Sequence, residues 1–265
     1  MSLAHAYYVL VALAIFVLLT ARQDHYWRDH RIIVLHPWRE VLICIGLIAL
    51  FYGAGYVLHA KAEASPGFEI GSLSDVVEAI NPVDRPFAGA WNLEAKYLGK
   101  LFKNTAMFVI PVSLLFFVGS VRRRVVLFFV FAQGYVLTQS MTGLAKGLID
   151  RYRPFAYLDP TRVEALTGAE REKFLVDIAD HDIRNSFFSG DASVTAFGLL
   201  FFAFAFSRFY PSNRWKYTVW TLAATGTALE CIFRAMSGKH FPTDVLAGAL
   251  VGGAIAIGVL WIHGR

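Results

Sequence analysis

Apolar residues along this chain come in long runs set apart by polar links, and several runs approach the roughly 17–25 residues that a helix needs to cross a bilayer. A helix satisfies every backbone polar group without water, so such runs are expected to span as helices. Seven runs stand out, at residues 4–21, 41–59, 105–120, 125–144, 193–206, 217–233 and 245–262. The pattern predicts an all-α, polytopic membrane helix bundle, a single domain over 1–265 with an extra helix at 4–21 and a core over 105–262. A cleaved leader is the competing reading of 4–21. No basic region precedes that run, and Tyr7 and Tyr8 sit where an interfacial belt lies, so a retained helix is expected.

Between the runs, the polar segments differ in kind. "ASPGFEIGSLSDVVEAINPVDRPF" is broken by Pro, Gly and Asp, which stop a spanning helix. Within it Leu73, Val76, Val77 and Ile80 recur at helical spacing, which predicts either a short helix on the membrane surface or a packed lid. Residues 161–180 predict a second surface helix, capping whatever lies beneath. Arg122, Arg123 and Arg124, the links rich in arginine after the first run, and "SRFYPSNRWK" mark the cytoplasmic side. Alternation then puts the amino terminus, both long polar segments and the 234–244 link outside. Residues 146–192 carry an excess of Lys and Arg against the usual inside bias, which a need for cations on the outer face explains.

Composition agrees with the runs: 56% of residues are hydrophobic, with 23 Phe and 6 Trp. The mean hydropathy is +0.49. The formal net charge of +5 is modest, and no basic or aromatic-interleaved tract points to nucleic acid. Cys44 and Cys231 fall inside predicted spans without metal-ligand or redox spacing, so packing is their expected role. Neither a metal nor another cofactor is implied, and nothing fixes the oligomeric state.

Three outer stretches converge: "KGLIDRYRP", "FFSGDAS" and "RAMSGKHFPTD". Ionisable residues at a membrane boundary are costly unless paired or wet, which makes these the candidates for chemistry. Lys146 and Arg153 stand about two helical turns apart, and a fork of Arg donors beside a compact Lys charge suits a tetrahedral phosphate. In the third stretch Pro242 can open a helix whose first turn carries Asp244. A carboxylate taking the Nδ1 proton of His240 would fix the ring and leave Nε2 as nucleophile.

The set Lys146, Arg153–Pro154, Ser189–Gly190, Arg234, His240 and Asp244, in this order on this pattern of spans, resembles the type 2 phosphatidic acid phosphatase superfamily of membrane lipid phosphatases. "HFPTDVLAGALVGG" is similar to that family's third motif. The resemblance implies that His240 attacks phosphorus in line and forms a phosphohistidine, with Asp244 orienting it. Lys146, Arg153, Arg234, Ser189 and backbone N–H groups near Gly190 would hold the phosphoryl oxygens. It further implies a phosphorylated lipid as substrate, such as a polyprenyl diphosphate, phosphatidylglycerol phosphate, phosphatidic acid or lipid A. The expected location is a bacterial-type inner membrane, with the site facing the periplasm or exterior. The predicted spans exclude the related soluble haloperoxidases.

The second motif departs from the family. Asp191 stands where the family has the histidine that protonates the leaving oxygen, and Phe188 and Phe233 replace a usual Pro and Ser. With an ordinary pKa of about 3.9, an aspartate beside cations seldom holds a proton at neutral pH. Its charge also opposes a phosphate, although it can pair with Arg234 or Lys146 in the phosphate's stead. General acid catalysis is worth about 10²- to 10⁴-fold, so the sequence predicts strong impairment. Either natural divergence or an inactivating replacement of histidine accounts for Asp191, and the intact neighbours favour the second. A phosphotransferase and a non-catalytic lipid-phosphate binder remain the alternatives. Glu230, one turn before Arg234, is expected to pair with it, while His181, Asp182 and Arg184 are expected to be solvated loop residues.

Overall fold

The computed structural model describes residues 35–64, 68–109 and 121–264. The first predicted run, and residues 110–120 of the third, lie outside the described residues. Among the described residues the chain forms eight α-helices and no strand: α1 (Pro37–Glu63), α2 (Leu93–Asn104), α3 (Val121–Leu148), α4 (Pro160–Ala165), α5 (Gly168–Ile178), α6 (Gly190–Phe209), α7 (Trp215–Met236) and α8 (Pro242–Ile262). The all-α membrane bundle expected from the runs is the architecture found.

Among the described residues four helices are long and apolar enough to cross a membrane: α1 from Trp38, α3 from Arg123, α6 and α8. They coincide with the second, fourth, fifth and seventh runs. α7 forms where the sixth run predicts a helix but is not among these four. Its four threonines, with Lys216, Glu230 and Arg234, dilute its apolar character. The third run also needs correction, because its first residues continue a helix that begins earlier, at Leu93, where the Asn92 side chain caps α2 by accepting from the Ala95 N–H at 2.9 Å.

α6 is the centre of the bundle, packed along α8, α7 and α3, with α1 laid against α3. The contact with α8 is made by small residues. A Cβ at Gly248 would lie 2.4 Å from the Ser189 carbonyl oxygen, and one at Gly252 would lie 1.9 Å from that of Ser193. Such spacing brings two backbones together where lipid offers no hydrophobic drive between helices. Phe129, Phe131, Phe197, Phe201, Val259 and Leu260 fill the bundle core.

A second apolar cluster is built from Phe155, Leu158, Val163, Phe174, Ile178 and Ile183, beyond the end of α3. Trp91 meets Phe155 and Phe174 edge-on at 5.7 and 5.2 Å. The predicted helix over 161–180 thus appears as two, α4 and α5, and it packs as a cap. Residues around Val76 and Val77 form a 3₁₀ stretch, Ser74–Ala79, in place of the expected α-helix. That segment is pinned by Asp84, a fully buried side chain that accepts from the Thr243 N–H at 3.0 Å, the Thr243 hydroxyl, Asn81 and Arg151.

Candidate active site

One end of the bundle, formed by α3, α6, α7 and α8, carries the predicted residues, and two local devices aim them. The segment 151–153 runs beside 183–186: the Arg153 N–H donates to the Ile183 carbonyl at 2.9 Å and the Ser186 N–H to the Arg151 carbonyl at 3.0 Å. Between α7 and α8, Gly238 has φ of +70°, and a Cβ there would lie 1.8 Å from the Ala90 carbonyl oxygen, so only glycine fits the turn. The Phe155 N–H donates to the Gly238 carbonyl at 3.1 Å, which ties this turn to the second apolar cluster. His240 follows, 2% exposed.

The ring of His240 is held otherwise than expected. Its Nδ1 donates to the backbone carbonyl of Ser186 at 2.6 Å, which leaves Nε2 as the acceptor nitrogen. Asp244 does not take that proton. Its carboxylate accepts from the Ser186 hydroxyl, from the Phe241 N–H at 3.0 Å and from Arg151. Asp244 therefore acts on His240 through Ser186, which touches both. Arg151 bridges Asp244 and Asp84, with its guanidinium 4.6 Å from the Phe241 ring centre, so the histidine turn, the segment around Asp84 and α8 form one hydrogen-bonded unit.

The cations gather as predicted, but each already faces a carboxylate. Arg153, 3% exposed, donates to the Asp182 carbonyl at 2.8 Å and to its carboxylate, and reaches the Lys239 carbonyl at 3.3 Å. Lys146 lies 3.9 Å from Asp182. Arg234 meets Asp191 at 3.1 Å, and Lys103 meets the other Asp191 oxygen at 3.2 Å. Asp182, its side chain 47% exposed, is solvated as expected but also pairs with both cations, and Lys103, unremarked in the sequence, belongs to the site. Arg184 pairs with Asp150 instead of reaching the cations.

Ser189 has a local contact besides, and Glu230 differs from expectation. Ser189 is fully buried, and its hydroxyl caps α6 by accepting from the Ala192 N–H at 3.3 Å, which gives it a helix-capping role. Gly190 follows as the first residue of α6, with room for no Cβ because Thr142 would be 2.9 Å away. Glu230 is fully buried one turn from Arg234, yet neither carboxylate oxygen has a hydrogen-bond partner, and Arg234 turns to Asp191.

Electrostatics favour a neutral His240. Burial pushes the His240 imidazole well below its ordinary value, and the charges of Arg153, Arg234 and Lys146 push it further. Burial raises the Asp182 carboxyl, but Arg153 and Lys146 outweigh it and hold the group below the usual carboxylate range. Beneath the turn, Asp177 of α5 takes Lys239 at 2.7 Å and also Lys96. Against its own burial, these two lysines hold Asp177 down to about 2. Burial, together with Arg153, lowers Lys239 to about 7. Among the described residues no group of three or more His, Cys, Asp or Glu side chains converges to hold a metal ion.

Comparison with known proteins gives two matches. Residues 124–265 match the family described as the PAP2 superfamily. A curated relative, the bacitracin transport permease protein BcrC of Bacillus licheniformis, is 30% identical over 127 residues, covering 48% of this chain and 51% of the relative. The chain therefore spans about half the length of that relative. No solved structure gives a significant match.

Proposed function

The chain belongs to the PAP2 superfamily, and from that premise we propose that it is an integral membrane lipid phosphatase working through a phosphohistidine on His240. One observation carries the reading: a buried histidine, tied by Nδ1 to the Ser186 carbonyl, presents Nε2 among Lys146, Arg153 and Arg234. Nε2 attacks phosphorus, the P–O bond to the lipid breaks, and a water later cleaves the P–N bond to release inorganic phosphate. The three cations and the N–H groups opening α6 take the charge on the phosphoryl oxygens in the transition state. The leaving oxygen needs a proton. Asp191, paired with Arg234 and Lys103, has none to offer, so turnover by this sequence is slow.

The substrate is a lipid phosphomonoester or diphosphate in a bacterial-type inner membrane, met at the periplasmic or outer face. A panel of lipid phosphates, assayed for inorganic phosphate with and without an acceptor alcohol, separates hydrolysis from phosphotransfer. Phosphorylated acceptor in place of phosphate would make the chain a transferase. A membrane-impermeant thiol reagent should reach a cysteine placed at 170 and not one at 123, and the reverse pattern would invert the sidedness. One observation favours a second reading: Asp191 and Asp182 already occupy the cations, as in a lipid-phosphate binding protein without turnover. That reading stands if affinity persists and Asp191→His brings no activity.

A further inference from the structure

Gly143 and Gly147 stand one turn apart on α3, and α1 packs against both. A Cβ at Gly143 would lie 3.2 Å from the Ala54 Cβ, and one at Gly147 would lie 3.0 Å from the Leu58 backbone nitrogen. So close an approach of two helices carries the end of α1 to the end of α3. There Lys61, in the last turn of α1, donates to three backbone carbonyls: Lys146 at 2.8 Å, Ile149 at 2.9 Å and Arg184 at 3.0 Å. An ammonium carries three donors and no acceptor, so three converging carbonyls match it. The Lys146 carbonyl belongs to the last turn of α3, where carbonyls lack partners within the helix and a positive charge suits the dipole. Arg184 stands two residues before Ser186, whose carbonyl takes the His240 Nδ1 proton. Its own carbonyl also accepts from the Arg151 N–H at 3.2 Å. The Lys61 side chain is 14% exposed, and the Asp150 carboxylate lies 3.6 Å away.

Resting on the phosphatase reading, we infer that Lys61 is a positioning residue for that site: it fixes Lys146 relative to the carbonyl that orients His240. The end of α3 and the segment 184–186 come from distant parts of the chain, and one nitrogen holds both. Arg184 also reaches across to Asp150, but that carboxylate is 45% exposed and water screens the contact. Without the ammonium, three carbonyl oxygens would face one another with no donor between them, and their like dipoles would drive the two segments apart. A displacement of about 1 Å far from the chemistry can cost about a hundredfold in rate, so Lys61 acts on phosphoryl transfer without touching phosphorus. The match to the family begins at residue 124, so α1 brings this side chain to the site from outside it.

The test truncates Lys61 to alanine in the full-length chain and returns the missing atoms as n-propylammonium, with 1-propanol as the uncharged control. Phosphate release is read in the Asp191→His background, and binding of inorganic phosphate by calorimetry in Asp191→Asn. Expected for Lys61→Ala is a fall in kcat of about tenfold or more, with phosphate bound about tenfold more weakly. Added n-propylammonium, and separately Lys61→Arg, should recover a large part of both, and 1-propanol neither. Lys61→Met, which keeps the stem, carries the same comparison if the alanine variant does not fold. Unchanged kcat and phosphate affinity, with only thermal unfolding lowered, would make Lys61 a fastener of the fold and overturn the proposal, as would equal recovery with 1-propanol. If Asp191→His releases no phosphate while Lys61→Ala still weakens binding and n-propylammonium restores it, the positioning role stands and the phosphatase reading falls. Release that Lys61→Ala leaves intact does the reverse.

Discussion

Asp191 occupies two cations that a phosphate needs, and replacing it with asparagine removes the charge while keeping the shape. Its two ion pairs are unequal. Lys103 has a side chain 30% exposed, so water screens that contact, whereas Arg234 is 6% exposed and its contact at 3.1 Å counts for most of the energy. A hydrogen bond to a charged group contributes about 1.5–3 kcal/mol net, which a phosphate must displace before it can use Arg234. Freed of that competitor, the site should bind tetrahedral anions about 10- to 150-fold more tightly, since about 1.4 kcal/mol is a factor of ten. Titration calorimetry with inorganic phosphate or orthovanadate, comparing the protein with Asp191→Asn in detergent at fixed ionic strength, reads this directly. Equal or weaker binding by Asp191→Asn would refute the reasoning, because Asp191 would then not be competing for the cations.

Other perturbations reach the rest of the site. Ser186→Ala removes the hydroxyl that links Asp244 to the histidine-holding segment but keeps the carbonyl on Nδ1. In an Asp191→His background kcat should drop about tenfold or more, with recovery in Ser186→Thr; an unchanged kcat would detach Asp244 from the nucleophile. The depressed His240 keeps its neutral form into acid, so in that background the acid limb of kcat/KM should lie below 6.5, and a limb at or above that value would contradict the electrostatics. Asp177→Asn leaves Lys96 and Lys239 buried without their carboxylate and should cost about 3 kcal/mol in thermal unfolding. Because the folded Lys239 sits at about 7 and the unfolded at 10.5, the unfolded chain binds the extra proton between them. Asp177→Asn removes an attraction that raises Lys239, so its folded value drops below about 7 and the variant's stability should rise as pH climbs toward 10.5; a fall would show that Lys239 is not the buried cation at fault.

The bundle was legible because spanning helices leave a long apolar run, and α1, α3, α6 and α8 each do. α2 was missed at its start since Leu93–Asn104 carries four charged residues, and only its Asn92 cap signals a helix. The residues with short motif spacing, Lys146, Arg153, Arg234 and His240, come together as read. What spacing could not supply were partners from distant segments, such as Asp84 on Thr243 or Lys103 on Asp191. Arg151 stands inside a quoted stretch and Ser186 directly before another, yet a sequence gives no sign that a backbone carbonyl, and not Asp244, would take the histidine's proton. Ser189 reads from its motif as a phosphate donor, and only the helix beginning at Gly190 reveals that its hydroxyl also accepts as an N-cap.

The most direct measurement is phosphate release from lipid phosphates by this protein and by Asp191→His, purified side by side. The account predicts a gain of about a hundredfold or more, as expected when a general acid is restored beside an otherwise assembled site. Equal rates, or no release from either form, would contradict the claim that a phosphatase site stands here lacking only its proton donor.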